Sequence, residues 1–457
     1  MKKKLLLFGT ALGHDDEGYR PRRYNVANAY LDAAVRRAFA AEDVEVRRVD
    51  QRVDLVDGRY EGGDPMAEIL DWEPDIVGLS CYVWDLAANM VLARRLKSLQ
   101  TDLLLVAGGP EVGVLPQTVL EANPAVDVVV YGDGEETLIE ILRAPRRDFS
   151  SIRGLVWRRG DGEIVDEGHR EPVGDLSQVA SPLLSGVLVP PEETLGFLFS
   201  RGCIHHCRHC AWNRRGGFRP LPSETIRKEI RWAVDHGYRR ARLFDSAINT
   251  STDRCFEVCA AFASEDAKGQ LELAYFADHT RFEPRQVESL VTLRTSEIVL
   301  GIESANSKAL KVLGRAPLDR AKFEETVRQL SAVCPLTVSI MLAIPGDDYD
   351  GFLDTIDYLA SIAGPPSKPR IRIVFVNLTV VPRGSSLRMR VGASGVRIRA
   401  EGMPYVLGTP EFPAGDLLRA LRAAREHPRR DVFWWDKVIV PVLERAAGVD
   451  SHMQTVP

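Results

Sequence analysis

No run of 18 apolar residues occurs in the 457-residue chain, which argues against a membrane-spanning helix. A surplus of positive charge is missing too: 59 Lys and Arg stand against 64 Asp and Glu, for a net charge of −5. Proteins that wrap nucleic acid usually carry excess cations, so no nucleic-acid partner is expected. The local basic clusters Arg20–Arg23 and Arg429–Arg430 read as solvated faces. Internal repeats and low-complexity tracts are likewise absent. Lys2–Lys4 imitates the charged start of a secretory leader, but the apolar stretch Leu5–Phe8 is too short and the following residues turn polar. The expectation is a first buried strand in a cytoplasmic protein, with no membrane partner. Cysteine is scarce, at seven residues, which suits a reducing compartment. Its clustering says more than its number.

What is present is ordinary for a globular protein: 45% apolar and 27% charged residues, in a chain long enough for about three domains. In the first part, short β-rich runs (Leu5–Phe8, Val44–Val49, Ile76–Ser80, Leu103–Ala107, Val128–Tyr131) alternate with helical patterns at Val26–Phe39 and Leu86–Leu99. That rhythm predicts an α/β fold with an open, mostly parallel sheet covered on both faces. Ligands in such sheets bind beyond the carboxyl ends of the strands. The candidate loops are therefore Gly9–Gly18, Cys81–Asp85, Gly108–Gly113 and Gly132–Glu136. From about 146 to 194 the pattern is irregular, with one hairpin across 154–166, and reads as a connector.

A second alternation begins at Leu195. Strands fit 195–200, 240–245, 271–276, 297–301, 336–343 and 371–377; helices fit 223–236, 252–264, 284–292, 307–313, 319–331 and 350–362. Six strand–helix units suggest a partial or complete parallel barrel whose active face lies at the strand carboxyl ends. The expected organisation is 1–145, a connector at 146–194, a barrel at 195–385, and a mainly helical segment at 386–457.

Just after the first strand of the second half comes Arg201-Gly202-Cys203-Ile204-His205-His206-Cys207-Arg208-His209-Cys210. Three thiolates spaced C-x3-C-x2-C on a strand-end loop can hold three irons of a four-iron cluster, where most such clusters use four Cys. A zinc site recruiting His205, His206, Cys255 or Cys259 competes with this, although zinc sites usually use paired C-x2-C units. Cys255 and Cys259, four apart on one helical face, and Cys334 read as small apolar packing residues.

The C-x3-C-x2-C spacing resembles the radical S-adenosylmethionine (SAM) superfamily. The resemblance implies a [4Fe-4S] cluster on Cys203, Cys207 and Cys210, with the fourth iron left for SAM. It further implies that His209 packs near adenine, and that Asp245, in Phe244-Asp245-Ser246-Ala247-Ile248-Asn249, replaces the usual Gly-Gly-Glu as acceptor for the methionine amino group. Glu303 and Ser304 then match ribose and methionine contacts, and Arg315 the partner of the cofactor's carboxylate. Ile344-Pro345-Gly346 and Val381-Pro382-Arg383-Gly384 resemble turns beside that cofactor. Simpler roles stay open: a loop residue for His209, a helix N-cap for Asp245, and a solvated side chain for Arg315.

In the first half, Gly78-Leu79-Ser80-Cys81-Tyr82-Val83-Trp84, Ala107-Gly108-Gly109-Pro110-Glu111-Val112 and Val130-Tyr131-Gly132-Asp133-Gly134-Glu135-Glu136 end three consecutive strands. Together they resemble the cobalamin-binding, Rossmann-like domain that precedes many radical SAM barrels. Glycine lets backbone approach a bulky nucleotide tail, and Ser80 can hydrogen-bond in that slot. The resemblance thus assigns cobalamin contacts to Ser80, Cys81, Tyr82, Val83, Trp84, Gly108, Gly109, Pro110, Glu111, Tyr131, Gly132, Gly134 and Glu135. The Asp-x-His-x-x-Gly motif that supplies a lower cobalt ligand elsewhere is not matched by Gly9–Asp16, and His14 reads as a solvent-facing loop residue.

The implied activity is that of a cobalamin-dependent radical SAM enzyme, foremost a C-methyltransferase. One SAM would methylate cobalamin. A second would yield a 5′-deoxyadenosyl radical that activates an unactivated carbon of a natural product or peptide. An electron donor such as a flavodoxin or ferredoxin is implied. The same cofactors also support cyclisation, ring contraction or oxidation, and an empty cobalamin domain is a further alternative. Phe433-Trp434-Trp435 reads as core, with closure of the site as the other role.

Overall fold

A computed structural model describes residues 2–11, 24–54, 59–187, 194–212, 216–392, 394–435 and 439–448. His14, Arg20–Arg23 and most of the expected Gly9–Gly18 loop lie outside the described residues. Contacts divide the chain into one unit reaching residue 195, together with 401–403, and a second unit comprising the remainder. Among the described residues no helix is long and apolar enough to cross a membrane.

The first unit runs β1 (Lys3–Ala11), α1 (Val26–Ala38), β2 (Val44–Arg52), α2 (Met66–Asp71), β3 (Ile76–Ser80), α3 (Leu86–Leu99), β4 (Leu104–Gly108), α4 (Pro116–Ala122), β5 (Val128–Val130), α5 (Glu135–Arg143), β6 (Leu155–Arg158) and β7 (Ile164–Asp166). Its seven-stranded sheet has the order β2-β1-β3-β4-β5-β6-β7. The first five strands pair in parallel. Every residue of Leu5–Phe8 is buried because the strand is covered on both faces. Leu6, Phe8, Leu79 and Leu105 pack with α2, α3 and α4 residues such as Ile69, Met90 and Leu120. Leu5, Leu7, Val106 and Val128 pack with Val35 of α1 and Leu138 of α5. The expected hairpin is present, but it is not a free connector. β6 pairs antiparallel with β5, β7 pairs antiparallel with β6, and Trp157 enters the core.

The second unit begins with β8 (Leu195–Phe197), β9 (Ser200–Arg201), β10 (Arg219–Pro220), α6 (Ser223–Asp235), β11 (Arg240–Leu243), α7 (Thr252–Glu265), β12 (Glu272–Ala277), α8 (Pro284–Leu290) and β13 (Thr295–Glu303). It continues with α9 (Ser307–Val312), α10 (Arg320–Leu330), β14 (Leu336–Leu342), α11 (Tyr349–Ile362), β15 (Ile371–Leu378), α12 (Ser386–Val391), β16 (Arg397–Ile398), β17 (Val406–Gly408), α13 (Ala414–Glu426), β18 (Phe433–Trp435) and α14 (Ile439–Gly448). The main sheet is ordered β18-β15-β14-β13-β12-β11-β8. Strands adjacent in sequence are adjacent in space and parallel, as repeated right-handed crossovers require. The helices therefore cover one face. The expected mainly helical segment at 386–457 also holds strands: β16, β17, and Phe433–Trp435, which joins the main sheet as a seventh strand parallel to β15. Two adjacent Trp residues and a Phe suit a pleated, half-buried edge better than a helix start.

Candidate functional site

In the first unit, the sheet order reverses between β1 and β3, so the loops leaving these two strands diverge and open a crevice at their carboxyl ends. The residues gathered there are buried and polar: Thr10, Asn25, Asn28, Ser80, Asp85 and Asn89. Asn25 caps α1 by accepting the Asn28 N–H, and its amide donates to Thr10 O at 3.2 Å and Ser80 Oγ at 3.4 Å. Asn89 donates to Ser80 O at 3.0 Å and accepts from Tyr60 OH at 2.8 Å. The Asp85 carboxyl accepts from Thr10 Oγ1 and from the Tyr82 N–H, and burial pushes it up to about 7. Asn28 Nδ2 is buried without a hydrogen-bond partner among the described residues. An orphaned amide N–H in a buried polar crevice fits an amide-rich ligand such as cobalamin.

The expected contact residues divide into two sets. Ser80, Cys81, Glu111 and Tyr131 are buried, while Tyr82, Val83, Trp84, Gly108, Gly109, Pro110, Gly132, Gly134 and Glu135 form a partly exposed rim. Tyr82 and Trp84 stack on each other with centroids 4.5 Å apart, and the indole donates to Thr10 Oγ1 at 3.0 Å. Tyr131 reaches back to the hairpin, where its hydroxyl donates to Asp166 Oδ1 at 2.7 Å. The reason for glycine at 109 also differs from expectation. Its φ is +114°, and a Cβ there would lie 2.5 Å from Cys81 O, so the missing side chain admits the neighbouring loop of the protein itself.

In the second unit, Cys203, Cys207 and Cys210 are free thiols, partly buried, on the loop after β9. Gly202 turns the chain into that loop at φ +80°, where a Cβ would meet Gly217 O at 1.9 Å. Backbone N–H groups of His205 and Trp212 approach Cys203 Sγ and Cys210 Sγ at 3.4 Å. Arg208 pins the loop to the end of α9: its guanidinium donates to Lys311 O and Val312 O, and its N–H to Leu313 O. His205 Nε2 shares a 2.6 Å hydrogen bond with Asp278 Oδ2 at the end of β12. Burial opposes ionisation of Asp278, yet bonds from His205 and Thr280 hold its carboxyl well below the usual range. Among the described residues, no three His, Cys, Asp or Glu side chains converge as a single metal ion requires. Three thiols on one loop, with N–H groups directed at two sulfurs, suit a multi-iron cluster, because each thiolate then meets a different iron.

Around the thiols, strand ends deliver the remaining expected residues. Glu303 ends β13 with φ +66°, beyond a register shift, and Ala343 just past β14 shares that left-handed conformation. Such strain in residues with a Cβ is concentrated at working sites. Arg315 donates to Glu303 Oε1 and Gly301 O, both at 2.8 Å, so this guanidinium is held and aimed rather than solvated. His209 Nδ1 is buried without a partner among the described residues, and burial lowers the imidazole's pKa. Ser304 is fully enclosed, donating to Asp347 Oδ2 and accepting from the Asn306 N–H. Asp245 caps no helix: Oδ1 accepts the N–H groups of Phe199 (2.8 Å) and Ser200 (3.0 Å), and burial raises the carboxyl to about 6. From the other side Arg254 donates to Phe199 O at 2.6 Å. The segment leading into the cysteine loop is thus clamped on both edges. Cys255 and Cys259 are buried in α7, in keeping with a packing role.

Residues missed by sequence reasoning are Thr10, Asn25, Asn28, Asp85, Asn89, Asp278 and Arg254. Asn25-x-x-Asn28 before an apolar-periodic run was a usable N-cap signal. The others reveal themselves only through partners distant in sequence.

A parallel switch-point domain followed by an open parallel barrel with three thiols at a strand end defines a two-domain cofactor protein of the radical SAM type. Family models agree: the B12 binding domain matches residues 25–142 and the Radical SAM superfamily matches residues 197–359. The chain belongs to the radical SAM enzymes that carry a B12-binding domain ahead of the barrel. It is 34% identical over 353 residues to 2-(S-pantetheinyl)-carbapenam-3-carboxylate methyltransferase of Streptantibioticus cattleyicolor, spanning 72% of this chain and 51% of that protein. It is 31% identical over 224 residues to the cobalamin-dependent radical SAM methyltransferase TokK of Streptomyces tokunonensis, spanning 45% of this chain and 32% of that one. The fold also matches the methyltransferase TsrM of Kitasatospora setae, solved with cobalamin and a [4Fe-4S] cluster, at a TM-score of 0.66 and 15% identity over 90% of this chain and 79% of that chain. This chain thus spans 51% and 32% of the length of those two sequence relatives.

Proposed function

We propose that this chain is a cobalamin-dependent radical SAM C-methyltransferase acting on an unactivated carbon of a small natural-product or peptide substrate. The observation that carries the reading is the cradle of free thiols Cys203, Cys207 and Cys210, ringed by His209, Glu303 and Arg315 on a chain that also has the polar switch-point crevice. Methyl transfer is favoured over cyclisation because the relatives above 30% identity are named methyltransferases. When bound, the cluster supplies the electron that cleaves SAM, and cobalamin supplies the methyl group. The three thiolates hold the cluster and leave one iron for SAM. Arg315, fixed by Glu303, offers its remaining N–H groups to the cofactor's carboxylate, a task suited to a fork geometry. His209 packs against adenine, Asp245 receives the amino group, and Glu303 and Ser304 border the ribose and methionine. Cobalamin lies over the loops that follow β3, β4 and β5, with Asn28 Nδ2 as a donor in the crevice. A flavodoxin or ferredoxin delivers electrons, and the free thiols suit the cytoplasm.

The test is mass spectrometry of a reaction with candidate substrate and methyl-labelled SAM. The expected result is labelled product, with S-adenosylhomocysteine and 5′-deoxyadenosine released in equal amounts. A dehydrogenated or cyclised product without label, formed only when cobalamin is present, overturns methyl transfer.

A further inference from the structure

The crossover helices leave the opposite face of the second sheet to other uses. Along β15, Val374, Val376 and Leu378 are buried under the helices, while Phe375 and Asn377 between them are only half-buried. β12 repeats the pattern, with Leu273, Tyr275 and Ala277 buried and Ala274 and Phe276 half-buried. Alternation with period two places the half-buried set on one inner face. Register then aligns a row across it: Gly301 pairs with Ser339, Ser339 with Phe375, and Phe375 with Trp434 of the seventh strand. Gly301 is also the residue whose carbonyl receives Arg315, so the row begins directly beneath the Glu303–Arg315 pair.

The chemistry of this face is specific. Its charges are already matched: Arg242 pairs with Glu297 at 3.1 Å, Thr337 donates to the same Glu297, and Arg315 pairs with Glu303. Its neutral polar groups have capacity to spare. Asn377 Nδ2 donates to Ser339 Oγ at 3.0 Å, the single side-chain hydrogen bond of either residue among the described residues. An Asn amide has two N–H groups and a carbonyl oxygen, and a hydroxyl one donor and two lone pairs. Asn377 Oδ1, its second N–H and the Ser339 O–H are therefore open. Beside them Phe375 and Trp434 stack face to face with centroids 4.6 Å apart and planes 19° from parallel, so that the paired rings make an apolar aromatic wall.

We propose that Asn377 and Ser339 form a subsite for a neutral amide of the substrate, whose apolar neighbour lies on the Phe375–Trp434 wall. The amide N–H donates to Asn377 Oδ1, and its carbonyl accepts from Asn377 Nδ2 or Ser339 Oγ. The substrate is thereby an amide-bearing molecule held by hydrogen bonds and stacking, not by a salt bridge on this face. The idea deepens the proposed function and rests on it for calling the occupant a substrate.

The test uses two fragments of the same shape, N-benzylacetamide and benzyl acetate, the second lacking the N–H. Dissociation constants are measured by ligand-observed NMR on the reconstituted full chain. Wild type is expected to prefer the amide by about tenfold, the worth of a buried hydrogen bond. Asn377→Leu should erase that preference, because it removes the Oδ1 that the N–H needs, while the less invasive Ser339→Ala, which touches only the carbonyl the two fragments share, should weaken both. Trp434→Leu should weaken both fragments equally while the amide preference and the iron and corrin contents hold, a pattern that general misfolding does not give. Equal binding of amide and ester to wild type, or an amide preference that survives Asn377→Leu, overturns the subsite. Iron and corrin contents of the same preparations separate the two proposals. A cofactor-loaded protein with no amide preference sinks only the subsite, and an amide preference in protein that binds neither cofactor sinks only the proposed function.

Discussion

Asp245→Asn separates the two roles that meet at this side chain. Both backbone bonds, from Phe199 and Ser200, end on Oδ1. An asparagine carbonyl oxygen can accept both, so the clamp on the segment before the cysteine loop survives. What changes is charge. The carboxyl is lifted from 3.8 to about 6 by burial. Well below pH 3.8 it is protonated in folded and unfolded chains alike, and the substitution has little electrostatic consequence. As pH rises from 3.8 to about 6, the unfolded chain ionises while the folded carboxyl stays protonated, so wild type loses stability across that window and no more above it. The loss amounts to ~3 kcal/mol. The asparagine variant is spared it. Urea unfolding of apoprotein at about pH 3 and about pH 8 should therefore show the variant gaining on wild type by ~3 kcal/mol between the two. If the carboxylate also receives the methionine amino group, SAM affinity at pH 8 should fall by about tenfold or more, the worth of a charged hydrogen bond. A stability difference that does not move with pH refutes the electrostatic reasoning; an unchanged affinity refutes the assigned contact.

Three further outcomes are expected. Replacing Cys203, Cys207 and Cys210 together by Ala should abolish iron binding and 5′-deoxyadenosine release, as read by iron analysis and chromatography; full iron loading would place the cluster elsewhere. Gly109→Ala sets a Cβ 2.5 Å from Cys81 O at φ +114°, and should cost ~2–3 kcal/mol and lower corrin retention while iron content holds. Unchanged thermal stability would show that the loops after β3 and β4 can part freely. Arg254→Leu removes bonds to Phe199 O and Leu221 O; it should cost ~3 kcal/mol in urea unfolding and reduce iron loading, and a loss below ~0.5 kcal/mol would show that Asp245 alone holds the segment.

Much of the architecture was legible because it is written locally. β3 and α3 fall on Ile76–Ser80 and Leu86–Leu99, as apolar periodicity and the strand-end Ser indicate. The cysteine loop was legible for the same reason: three ligands within eight residues carry their own spacing. Elements fixed by a remote partner were harder. The 154–166 hairpin looks like a linker because its strands are short, and only pairing with β5 makes it sheet. Phe433–Trp435 adjoins a helical pattern and becomes a strand only where β15 has a bare edge. At the sites, Glu303 and Arg315 are twelve residues apart yet joined by one ion pair. Asp278 reaches the cysteine loop through a histidine more than seventy positions earlier. Such partners depend on crossover geometry, which no local window contains.

The β6–β7 hairpin has a consequence for anyone who wishes to cut the molecule. β5 consists of three buried valines, Val128–Val130, and its far side is closed by Leu155–Trp157. A fragment ending near residue 145, where the helical rhythm stops, would leave that valine strand with a bare rim of unpaired N–H and C=O groups. An apolar edge of this kind recruits copies of itself. A fragment carried through residue 187 keeps the rim covered and should stay monodisperse in light scattering at concentrations where the shorter one clouds.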